Sequence, residues 1–173
     1  MSHAGTTYVD TAWPQTTAEV AVGGHRVQFV AVHTYYPLGD AKRWTRDMTA
    51  LASMARRSGP DAVFLGDFNA SLDHTPMRGL LEAGRTDTHA ELGHGWARTW
   101  PVDHALVPPL IQLDHVLHGP GLVGGLRRRA HRAGYGPSGG RCGTGAATGE
   151  GPGHLIGVRY GGVRASGRYH NET

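Results

Sequence analysis

Cysteine is nearly absent. Cys142 stands alone in a chain of 173 residues, so no internal disulfide can form and the redox compartment stays undetermined. Long apolar runs are missing as well. No stretch reaches eighteen apolar residues, so no segment has the length to span a bilayer as a helix. The opening MSHAGTTYVD lacks the basic and apolar regions of a secretory signal. Strong net charge is also lacking: the balance is +3 with twelve histidines, which by itself points to no particular partner. What is present, 39% hydrophobic and 18% charged residues, suits a globular domain, and the length allows one real core.

The average conceals a split after His118. Residues 1–118 carry nine Lys and Arg against twelve Asp and Glu, a net of −3, whereas residues 119–173 carry eight Arg against two Glu, a net of +6. Those last 55 residues hold 17 of the 27 glycines and three of the ten prolines, a share above the roughly 25–30% that marks low complexity. Only seven of them are Leu, Ile, Val or Phe, too few to offset ordering entropy by burial. The sequence divides into a poorly defined lead (1–18), a domain (19–118) and a Gly/Arg-rich tail (119–173).

Within the domain, EVAV, the GG at 23–24 and HRVQFVAVHT read as a β-hairpin over 19–34. The nearly continuous apolar run VQFVAV predicts a strand buried on both faces. Asp40 is placed to cap a helix over 41–57, with Trp44, Met48, Leu51 and Ala55 on one face. Arg56 and Arg57 suit its C-terminal end. Gly59 and Pro60 stop it, and AVFLG at 62–66 follows as a buried strand. Strand, helix and strand form a βαβ-like unit. Thr75 and Pro76 open a second helix ending near Gly84, and ARTW and LIQLDHVLH are further strand candidates. No internal repeats occur. The class is α/β or α+β with a layered sheet.

FLGDFNAS, residues 64–71, carries the chemistry. Alternate strand residues share a face about 6.6–6.8 Å apart, so Asp67 and Asn69 are expected to project together past the strand's end. Gly66 allows close backbone approach. A carboxylate beside a neutral amide suits a hard cation or a phosphate-bound water; Asp-x-Asn also simply starts turns, and both readings stand. His33 ends one apolar strand, as structural hydrogen-bonding histidines do. Asp114 lies in QLDHVL, where an acid needs a partner, either an imidazole held in one tautomer or a structural arginine. Three strands each delivering a polar group to one sheet edge favour a site.

AVHT, VFLGDFNAS and QLDHVL, in that order, resemble the endonuclease/exonuclease/phosphatase superfamily, the fold of deoxyribonuclease I and the sphingomyelinases, over about residues 19–118. GDFNASLDHTPMRGLLEAG followed by TWP and LDHVL is similar to a bacterial branch that often carries N-terminal membrane helices and includes teicoplanin-resistance-type proteins. The resemblance implies part of a four-layer α/β sandwich and metal-dependent hydrolysis of a phosphodiester, phosphomonoester or nucleic acid with Mg²⁺ or Mn²⁺. It implies that Asp67 aligns or deprotonates the attacking water and touches the metal, that Asn69 positions water and phosphate, that His33 donates to a phosphoryl oxygen, and that Asp114 orients a catalytic histidine. His74 and His115, beside these motifs, read as structural.

Two elements of that family pattern have no counterpart here. Glu19 lies in the wrong place for the family's metal-binding Glu. The final Asp-His pair is lacking, and GPGHLIGV, with His154, lacks the Asp. The switch to Gly/Arg-rich sequence resembles a shifted reading frame, so the expectation is a truncated chain, incomplete as a sandwich, with weak or no activity. It would associate through an uncovered sheet face. The rival expectation is a basic-tailed nucleic-acid-binding protein without catalysis, acting through LRRRAHR, Arg127 to Arg132.

Overall fold

The computed structural model describes residues 3–7, 10–22, 24–93, 97–101, 108–125 and 154–157. Among these residues eight strands and three helices follow in order: β1 (His3–Thr7), β2 (Gln15–Val22), β3 (His25–His33), α1 (Ala41–Arg57), β4 (Ala62–Asp67), α2 (Thr75–Glu82), β5 (Thr86–Asp87), α3 (Thr88–Glu91), β6 (Asp114–His118), β7 (Leu122–Gly125) and β8 (His154–Gly157). Six strands form one sheet in the order β1-β2-β3-β4-β6-β5. β3 and β4 run parallel, joined through α1, and the other neighbours are antiparallel. The fold is α/β.

α1 forms where its residues dictate. Asp40 is extended (φ −154°) and its carboxylate accepts from the N–H groups of Lys42 and Arg43, both at 3.0 Å, satisfying donors that have no intrahelical partner. Trp44, Met48, Leu51 and Ala55 are all buried. They meet Val30, Val32, Phe64, Phe68, Met77, Leu80 and Leu117 in the main core. Each fully buried Val, Leu, Phe or Met side chain among them contributes about 1.5–3 kcal/mol. Arg85 closes the other end of α1 by donating to the carbonyls of Ser58 and Gly59 at 3.0 and 3.2 Å.

β3 is buried on one face, not two. Val30 and Val32 lie under the helices, while Ala31 and His33 are exposed. The apolar run misleads because the second face is covered only at one end, where Val27 and Val63 pack on Leu122, with Phe29 and Val116 at the margin. Towards the other end no described residue covers that face, and Leu65 is 37% exposed.

The expected boundaries also shift. β1 and the start of β2 fall before residue 19, and β1 pairs along β2 from His3↔Glu19 to Thr7↔Gln15. HAGTT has no apolar alternation to betray it, because its place comes from backbone pairing. After His118 the fold continues. Gly119 N–H bonds Ala62 O at 2.9 Å and Gly121 N–H bonds Pro60 O at 3.1 Å. A Cβ at either glycine would run into Pro60 or Asp61, so glycine there marks close packing. Leu122 is buried, and β7 pairs in parallel with β8, Leu122↔His154. Arg127 to Arg132 and Cys142 lie outside the described residues. ARTW is no strand: Trp100 and Ile111 form a single bridge, and LIQLDHVLH pairs as a strand only from Asp114.

Candidate functional site

His33, Asp67 and Asp114 form a row across three neighbouring strands. His33 is the register partner of Asp67 across the parallel β3–β4 pair, and Asp67 is the partner of Asp114 across the antiparallel β4–β6 pair. Partners in register point to the same face, and adjacent strands lie about 4.8 Å apart, so three polar groups line one sheet edge over about 10 Å. Asp114 is not inside its strand. It is the first residue of β6, and because β6 runs antiparallel to β4, its start lies beside the end of β4.

Gly66 is required one residue earlier. Its φ is +136°, and a Cβ there would collide with the Val32 carbonyl on β3. Beyond Asp67 the strand's two-residue repeat stops short of Asn69, which has a φ of +48°, a conformation asparagine tolerates better than most residues. The Asp67 carboxylate accepts from Asn69 N–H at 2.8 Å, and the Asn69 amide donates to Thr34 O at 3.1 Å. The Asp-x-Asn turn is therefore real, and it anchors Asn69 to the end of β3. The second amide hydrogen and the side-chain oxygen of Asn69 have no partner in these bonds. Thr34 completes the joint: its N–H bonds Asp67 O at 3.1 Å and its hydroxyl donates to Phe68 O at 2.8 Å.

Burial pushes the Asp67 carboxyl above the usual aspartate range. The Asn69 N–H opposes that rise, the charge of Asp114 adds to it, and His33 and His115 oppose it weakly. Two carboxylates in register, one of them partly desolvated, suit a hard cation between them. Among the described residues no three His, Cys, Asp or Glu side chains gather into a metal cage.

Sequence reasoning missed the supports. Asp47, buried on α1, accepts from Ala12 N–H and Tyr35 N–H, both at 2.8 Å. It fixes the segments before β2 and after β3. Gln15, also buried, clasps His33 from both sides of its backbone, accepting from its N–H at 3.2 Å and donating to its carbonyl at 3.3 Å. Trp13 stacks on the His33 ring at 4.6 Å. Behind the sheet, His115 bonds Asp87 at 2.8 Å and Ala70 O at 2.7 Å. His74 caps no helix with its side chain; its Nδ1 accepts from Ser71 N–H at 2.9 Å. A buried acid at helical spacing with the apolar face of α1 was the one available signal for Asp47. The side chain of His154 lies outside the described residues.

A sequence profile of the Endonuclease/Exonuclease/phosphatase family matches residues 2–143. The chain belongs to this family. The matched span begins before Glu19 and runs past His118, consistent with β1 and β7 being parts of the fold. No curated protein matches the chain. Among solved structures it is similar to truncated Caenorhabditis elegans TDP2 (15% identity, TM-score 0.52, 68% of this chain and 52% of that one). It is also similar to humanized D. rerio TDP2 carrying 14 mutations (16% identity, TM-score 0.50, 67% and 52%). Both likenesses concern the fold, and the match spans about half the length of those proteins. Among the described residues no helix is long and apolar enough to cross a membrane.

Proposed function

We propose that this sheet edge hydrolyses a phosphoester with the help of Mg²⁺ or Mn²⁺. The observation that carries the reading is the cross-strand row His33–Asp67–Asp114, with Asn69 anchored immediately beyond it. Family membership supports the reaction class. In the proposed reaction a water oxygen forms a new bond to phosphorus as the ester P–O bond breaks. Asp67 takes the water's proton. Asn69 positions the water and the phosphate through its remaining amide hydrogen and oxygen. His33, exposed but fixed by Gln15 and Trp13, donates to a phosphoryl oxygen. Asp67, with Asp114 across the strand pair, would hold the cation, which when bound stabilises charge on the phosphorus oxygens.

The role of Asp114 as holder of a catalytic histidine finds no support among the described residues, where no imidazole bonds its carboxylate. With that donor and a third metal ligand both lacking there, we propose slow turnover by this chain on its own. A nucleic acid is one substrate that suits the reaction. The open face around Ala31 and Leu65 is proposed to drive self-association. Hydrolysis of a generic phosphodiester with and without Mg²⁺, beside Asp67→Ala, tests the reading.

A further inference from the structure

On the β3 side of the row stands a ladder of aromatic rings. Trp13 stacks on His33 (centroids 4.6 Å apart, planes 10° apart) and on Tyr35 (5.6 Å, 20°), and Tyr35 stacks on Tyr36 (4.8 Å, 16°). The Arg43 guanidinium lies 4.7 Å from the Tyr35 ring centre. The outer rings are held out to solvent: Trp13 is 38% exposed and Tyr36 48%. They are held firmly, because the buried Asp47 carboxylate fixes the backbone on both sides, at Ala12 and Tyr35. Exposed bulky groups on a rigid support beside a polar edge mark a binding surface more often than chance.

A cleft of about 460 Å³ adjoins the ladder at the start of α1, lined in part by Asp10, Asp40, Lys42, Arg43, Arg46 and Asp47. Its acids are occupied. Asp10 pairs with Arg46 at 2.6 Å, Asp40 caps α1, and Asp47 holds its two backbone N–H groups. Lys42 and Arg43 have no carboxylate partner among the described residues. The lining therefore carries three acids and three bases, of which the Lys42 and Arg43 side chains are the two bases not bonded to a carboxylate.

We infer that this surface is a subsite for the esterified group of the substrate. It takes a planar ring, nucleobase or aryl, attached to a phosphate seated at His33, Asp67 and Asn69, while Lys42 and Arg43 attract its negative charge. The inference rests on the phosphoester reading of the row. Stacking on Trp and Tyr tolerates many ring types, and arginine adds a cation–π contribution. If the ladder served only to orient His33, ligands with and without a ring would bind alike.

The test is isothermal titration of the full chain, with Ca²⁺ in place of Mg²⁺ so that a cation still offsets the carboxylates while turnover is slowed, with 5′-AMP, phenyl phosphate and ribose 5-phosphate. A ring-bearing ligand binds about tenfold tighter than ribose 5-phosphate, and the two ring ligands distinguish nucleobase from aryl. The preference falls below about twofold in Tyr36→Leu and in Trp13→Leu. Tyr36 is exposed, so its variant keeps the test valid should the Trp13 variant unfold. Lys42→Ala weakens all three ligands together. Equal affinity for all three, no binding of any, or a ring preference that survives both aromatic variants overturns the subsite. Failure of the hydrolytic reading looks different: the ring preference persists while metal-dependent turnover is absent.

Discussion

The Nε2 of His115 lies 2.7 Å from the carbonyl oxygen of Ala70, the residue after Asn69. Its Nδ1 lies 2.8 Å from the Asp87 carboxylate. The buried imidazole thus bridges the Ala70 carbonyl and the Asp87 carboxylate. Gln112 stands beside Nδ1 at 3.2 Å. This pair, on the helix side of the sheet, ties the Asp67–Asn69 turn to β5 and β6. Removing one partner leaves the other as a buried polar group without its hydrogen bond, which typically costs about 1–3 kcal/mol. Asp87→Ala should lower the urea midpoint by that equivalent with little change in slope. A loss below about 1 kcal/mol would show that the pair does not anchor the turn.

The same pair sets an acid limit. Although burial raises it, the Asp87 carboxyl is held below the usual aspartate range by the hydrogen bond from His115, the Ala90 N–H and nearby positive charge. A lowered folded pKa means that this stabilisation is complete above the ordinary aspartate pKa of about 3.9. It is lost as pH falls through the lower folded value. Denaturation from pH 6 down to 2 should therefore show a steep acid limb that becomes shallower in Asp87→Asn. Identical limbs would contradict the assignment.

Asp67 behaves in the opposite sense. Its folded pKa is raised, chiefly by burial, so ionisation disfavours the fold once pH exceeds the unfolded value. Asp67→Asn keeps an oxygen to accept from Asn69 N–H and removes the charge. The variant should be more stable than the parent at pH 7 and equal to it below about pH 3, when both side chains are neutral. A variant that melts lower at pH 7 would show that the carboxylate is structural.

Much of this arrangement can be read from the residues. The α1 face, its Asp40 cap and the strand–helix–strand unit follow from spacing, because apolar periodicity and capping are local. Gly66 and the order of His33, Asp67 and Asp114 are likewise visible in the motifs. The supports are not. Asp47 reaches Ala12 across 35 positions and His115 reaches Ala70 across 45, and no local pattern reports contacts at that range. β1 and β7 escape because backbone pairing and close glycine packing hold them, not apolar periodicity. The two-residue strand repeat misplaced Asn69, since a positive φ ends the repeat at Asp67.

The open face carries its own prediction. Ala31 and Leu65 are register partners and both are exposed on it. Sedimentation velocity should show concentration-dependent association that Leu65→Glu weakens by placing a charge on the sheet. A monomer at every concentration would remove the idea.

Hydrolysis of bis(p-nitrophenyl) phosphate by the full chain, with Mg²⁺ and with EDTA, tests the central claim most directly. The account predicts slow turnover, well under the roughly 10 s⁻¹ of a median enzyme. It should require Mg²⁺ and fall at least 100-fold in Asp67→Ala, in line with the loss of one acid–base group. Turnover that persists in EDTA, or that survives Asp67→Ala, would contradict the assignment of the His33–Asp67–Asp114 row as a phosphoester-hydrolysing edge.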